Sequence, residues 1–109
     1  MNARDLLADH YQDLTLDSGR VEWIDRWAPD HSTLMGPAIR IGMAYIRAVD
    51  MTGASDGIAV SRWRRVADVR PGEWLTQPEG SAAGPPDYVA PVVARWLSIE
   101  YMSPDEEED

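Results

Sequence analysis

The apolar run between Met35 and Val49 constrains the fold most. Met35, Ala38, Ile39, Gly42, Ile46 and Val49 recur at three- and four-residue steps, and Ile41 and Tyr45 widen the stripe. On a 3.6-residue period these positions form one continuous seam, so the spacing predicts a mostly buried central helix over 33–50. Ser32 or Thr33 can cap it, and Pro37 is tolerable in a first turn. Ala38 and Gly42 are small and four apart, which suits close approach of another helix, within the chain or in a homodimer.

The flanking segments are read against that helix. Leu7, Tyr11 and Leu14, with Leu6 beside them, predict a first helix over 3–14. Asp5, Asp9 and Asp13 lie on a neighbouring stripe. Asp17 continues the spacing into a turn formed by Thr15, Asp17, Ser18 and Gly19. Trp23 and Trp27, with Val21, Ile24 and Ala28, suit a short helix over 20–28 that Pro29 ends. Residues 52–57 read as a loop. Ile58, Val60, Trp63, Val66 and Val69 suit a strand, Pro71-Gly72 a tight turn, and Trp74-Leu75 a return strand. This gives a β-hairpin across 58–77, with a helix over 58–68 as competitor. The four prolines and two glycines of 76–91 read as a loop. Residues 91–102 read as a last helix with Pro91 in its first position and Val92, Trp96 and Ile99 on one face. There is no internal repeat.

The expected architecture is therefore α+β: a helical N-terminal half, a short β-hairpin and a C-terminal helix, with an all-α arrangement as the runner-up. At 109 residues the chain reads as one domain over 1–102, followed by a disordered acidic tail over 103–109. The hydrophobic share of 44% supports a packed core.

Composition narrows function by exclusion. Cysteine is absent, which removes disulfides, thiolate nucleophiles and cysteine-based metal sites. No apolar run approaches the roughly 18 to 20 residues that span a bilayer. Met1 to Asp13 carries three aspartates and no apolar core, unlike a signal peptide, so a cytoplasmic protein is expected. All ten bases are arginine and phenylalanine is absent, a usage that suits a high-GC genome, such as an actinobacterium or one of its phages.

Charge is laid out in blocks. Residues 1–33 and 74–109 are acidic, 34–73 are mildly basic, and the sum is −9. Such a chain repels phosphates unless its arginines share one face, so direct nucleic-acid binding is disfavoured. Residues four apart on a helix are about 6 Å apart along its axis. That is close to the spacing of phosphates along a nucleic-acid strand. Asp5, Asp9, Asp13 and Asp17 are thus candidate partner-binding residues, acting as a nucleic-acid mimic; the plain alternative is a solvated helix face. Arg62, Trp63 and Arg64 form a second candidate surface, with Arg65 and Arg70 nearby. On a strand Arg62 and Arg64 share one face and Trp63 and Arg65 the other. The plain alternative is that these arginines neutralise the chain's own acids.

Tyr101 and Asp105 are spaced Tyr-x-x-x-Asp behind a helix. This resembles the C-terminal secretion signal of mycobacterial type VII substrates, although the Trp-x-Gly turn of the small helical-hairpin members is absent, and no family is assigned. His10 and His31 are the only near-neutral bases, with no recognised metal-ligand spacing and no catalytic motif around them. No cofactor or metal is expected.

The reading that ranks first is a small acidic, non-enzymatic protein-binding domain. Its narrower form is an inhibitor or regulator of a nucleic-acid-binding machine. Its partner is a protein with a basic surface. Small phage-encoded inhibitors, anti-CRISPR proteins among them, share this size and acidity. One alternative is an assembly subunit forming a homo-oligomer through the 34–50 helix. Another is a small enzyme with a histidine base. The enzyme needs a pocket that holds an imidazole beside a carboxylate; the mimic needs a convex acidic face.

Overall fold

The computed structural model describes residues 2–14, 21–29, 35–51, 57–65 and 76–101. These form α1 (Ala3–Leu14), β1 (Val21–Trp27), β2 (Gly36–Ile41), β3 (Ala44–Asp50), β4 (Ile58–Arg65), β5 (Thr76–Gly84) and α2 (Pro86–Tyr101). The strands make one antiparallel sheet in the order β1-β2-β3-β4-β5. The helical N-terminal half is therefore overturned, and so is the all-α runner-up. The protein is mostly β, with one helix before the sheet and one after it.

The decisive correction falls on 33–50. Its described part is a hairpin: β2 and β3 pair with Ile39 opposite Ile46 and Ile41 opposite Ala44, leaving Gly42-Met43 as the loop. Gly42 adopts φ 58°, a left-handed conformation that glycine reaches without a Cβ penalty. A two-residue loop folds the alternating positions Ile39 and Ile41 onto Ala44, Ile46 and Ala48, all buried. Arg40, Tyr45 and Arg47 interleave on the opposite face. The isoleucines, stiff at χ1, favour this pleated surface. The supposed helical seam with Ala38 and Gly42 does not exist, and the homo-oligomer alternative loses its element.

Other corrections follow the same logic. Residues 20–28 contain strand β1, not a helix. Residues 76–84, read as a loop, are strand β5, which pairs with β4 from Ile58–Gly84 to Arg65–Thr76. Pro78 is accommodated because β5 is an edge strand with a bulge there. The predicted turn at Pro71-Gly72 and the return strand at Trp74-Leu75 lie outside the described residues, as do Asp17, His31 and the tail. The last helix starts five residues earlier than expected: Pro86 takes the first position and Pro91 lies inside. Its buried face is Val89, Val93, Trp96, Leu97 and Glu100, whereas Ile99 is exposed.

Helix α1 spans 3–14 as its spacing predicts. Asn2 Oδ1 accepts from the Asp5 amide at 2.8 Å, an N-cap. Asp50 Oδ1, at the end of β3, accepts from the Ala3 amide at 2.7 Å and adds charge where the helix dipole favours it.

Both helices lie on one face of the sheet. Leu6 and Leu7 of α1 and Val89, Val93 and Leu97 of α2 join one apolar cluster with Ile39, Ile46, Ile58 and Val60. Burying each such side chain is worth about 1.5–3 kcal/mol. Gly80 lets α2 approach β5, since a Cβ there would meet the Trp96 ring at 3.2 Å. On the opposite face a bulge in β1 turns Trp27 outward from the helices. Its ring stacks on Tyr45 at 4.6 Å, with Trp63 edge-on at 6.4 Å. Among the described residues no helix is long and apolar enough to cross a membrane.

Candidate functional site

The first candidate surface is the outer side of α1. Its inner side buries Ala3, Leu6 and Leu7, which directs Asp5, Asp9 and Asp13 to solvent. All three are exposed, and none is in an ion pair with a described residue. The neighbouring charges are paired elsewhere. Arg4 binds Asp25 on β1 and lies over the Trp23 ring, 5.9 Å from its centre. The Arg4 guanidinium holds the Asp25 carboxyl below the usual carboxylate range, helped by the Trp23 indole and more weakly by Arg26. Arg40 binds Glu22 at 2.8 Å.

The second candidate surface is divided by the pleat of β4. Arg62 and Arg64 project from the helix-bearing face, Trp63 from the other, as alternation requires. Glu100 on α2 is 2% exposed and accepts from both Arg62 Nη2 and Arg64 Nη2. Glu79, the extra residue of the β5 bulge, binds Arg64 Nε at 3.0 Å and lies 3.7 Å from Arg62 Nε. Arg62 Nε is buried and has no hydrogen-bond partner among the described residues. The arginines thus meet acids of their own chain under the last turn of α2. Trp63 turns its indole N–H to Ser61 Oγ at 2.8 Å. Arg65 is exposed, and Arg70 lies outside the described residues.

Two clefts open among the described residues. One, of about 300 Å³, opens between the helices, lined by His10, Asp13 and Leu14 of α1 and by Ala94, Leu97, Ser98 and Tyr101 of α2. His10 Nδ1 is 3.0 Å from the Leu6 carbonyl. A carbonyl only accepts, so Nδ1 carries a proton. His10 and Asp13 line the same cleft, one helical turn apart, without a hydrogen bond between them. The other cleft, of about 390 Å³, lies on the opposite sheet face, over the small side chains Ala59, Ser61, Ser81 and Ala83, with Arg47 and Val49 at its wall. Among the described residues no three His, Asp or Glu side chains come together as a metal site.

Sequence reasoning missed Glu79, Glu100 and the interhelical cleft. Glu100 carried a signal: it falls seven residues after Val93, a lone acid on the apolar stripe of its helix. Glu79 carried none, because its role depends on a bulge. The chain matches no known protein-family model, and no curated protein and no solved structure is detectably similar to it.

Proposed function

We propose that the chain is a non-enzymatic protein-binding domain that occupies the basic surface of a partner through the outer face of α1. The narrower reading is an inhibitor or regulator of a nucleic-acid-binding protein whose phosphate-binding surface meets Asp5, Asp9 and Asp13. One observation carries this: the three carboxylates are exposed and in no ion pair with a described residue, while Arg4, Arg40, Arg62 and Arg64 are taken up by Asp25, Glu22, Glu79 and Glu100. The acidic stripe therefore keeps its field for a partner.

Affinity capture from lysate tests it, at low salt and again at about 0.5 M, where exposed charges are strongly screened. The expected result is one basic, nucleic-acid-binding protein that salt releases. The Asp5→Arg, Asp9→Arg double variant should bind that protein at least about tenfold more weakly, with an unchanged circular dichroism spectrum because both sites face solvent. Undiminished binding by the double variant would remove α1 from the interface.

A second reading rests on the interhelical cleft. An imidazole beside a carboxylate in a concavity is what the small-enzyme alternative calls for, and His10 with Asp13 satisfies that much. The pair lacks the carboxylate-to-imidazole hydrogen bond that orients a catalytic base, and the ring is instead held by Leu6. The cleft is better suited to binding than to proton transfer.

A further inference from the structure

We infer that the cleft between α1 and α2 binds a small organic cation, an ammonium carried on an apolar stem. The inference shares Asp13 with the acidic-face reading but not Asp5 or Asp9, which do not line the cleft.

Three observations converge. The cleft is mostly apolar in its walls, where Leu14, Ala94 and Leu97 offer a stem somewhere to pack. At about 300 Å³ it has the size of a small-ligand site. Its one charged side chain is Asp13, beside His10 and the hydroxyls of Ser98 and Tyr101. Asp13 is an exposed carboxylate, and His10 has its Nδ1 committed to the Leu6 carbonyl. No arginine lines the cleft. A carboxylate or phosphate ligand would meet the like charge of Asp13. A ligand with N–H donors and a positive charge would pair with Asp13, and a chain of net charge −9 raises the local concentration of cations.

A free amine and a lysine side chain of a partner protein share this chemistry, so the experiment has two arms. Backbone amide shifts around 94–101 and the His10 ring signals are followed while the whole chain is titrated with hexylammonium or with N-acetyl-lysine methylamide. Hexanol and hexanoate serve as neutral and anionic controls of similar shape. The expected result is saturable shifts confined to the cleft with one or both cations, at least about threefold weaker binding of hexanol, and no saturable shift with hexanoate. Tighter binding of hexylammonium assigns the site to a free amine, and tighter binding of the lysine derivative assigns it to a partner's side chain. Asp13→Asn should weaken the cation by up to about fivefold, the range of an exposed charge pair. Ala94→Trp should fill the cleft and abolish the shifts; Ala94 is exposed, so the rest of the spectrum should report an intact fold. The inference is overturned if neither cation gives saturable shifts, if hexanol or hexanoate binds as well, or if Ala94→Trp leaves binding unchanged. None of these results depends on capture of a partner or on Asp5 and Asp9, so each idea can fail alone.

Discussion

A carboxylate at 2% exposure faces two guanidinium groups at Glu100. Such a group is costly to bury alone and tolerable only with partners, and its loss leaves those partners uncompensated in turn. Glu100→Gln should therefore destabilise the fold by about 3 kcal/mol, seen as a lower urea midpoint at unchanged slope. Replacing the whole group by uncharged side chains (Glu100→Leu, Arg62→Met, Arg64→Leu, Glu79→Gln) should recover most of that loss, because no charge is then stranded. If the single variant is neutral, the network is solvated and does not anchor α2. Asp25 behaves differently because it is exposed. Its carboxyl is lowered by Arg4, so the pair contributes stability above the ordinary carboxylate pKa, and that contribution fades as pH falls through the lowered value. Arg4→Ala should move the Asp25 titration, followed by NMR, up toward the ordinary carboxylate value of about 3.9.

At the scale of elements, the β2–β3 hairpin shows why part of the fold could be read from the sequence and part could not. Helix α1 was legible because Leu6, Leu7 and Tyr11 can share a face only on a helical period. The 36–50 segment was misread because its inward positions fit two periods at once. Ile39 and Ile46 are seven apart, two helical turns, yet they are also directly opposite across a two-residue loop. The loop was marked by Gly42, which the helical reading treated as a packing notch. Strand β5 was hidden for another reason: Gly80, Ala82 and Gly84 are small so that α2 can lie on them, and small residues read as loop. The arginine–glutamate group was half legible, since the alternation of Arg62 and Arg64 placed them together but nothing local named Glu79. The hairpin turn is testable. Gly42→Ala forces a Cβ into φ 58° and should cost about 1 kcal/mol, lowering Tm, whereas Gly42→Asn should cost less because asparagine tolerates that conformation. Equal losses would mean that the turn relaxes to another geometry.

Over the whole molecule, charge is neutralised locally but not globally. The paired arginines sit beside acids on neighbouring strands and helices, which leaves the stripe Asp5, Asp9 and Asp13 within a net charge of −9. Like charges that repel in the folded state oppose its compactness, and salt screens them on the exposed surface far more than it screens the buried Arg62, Arg64 and Glu100 group. Added sodium chloride should therefore raise Tm. Each kcal/mol of relieved repulsion is worth about 4–8 °C for a domain of this size. A fall in Tm with salt would mean instead that the exposed pairs Arg4–Asp25 and Arg40–Glu22 outweigh the repulsion. The same field that strains the fold is the one proposed to attract a basic partner. The Asp5→Arg, Asp9→Arg variant should then gain stability at low salt as it loses binding, the usual opposition between a functional surface and a stable one. Equal stability of the variant and the parent at low salt would show that water already screens the stripe, and a stripe that weak could not steer a partner.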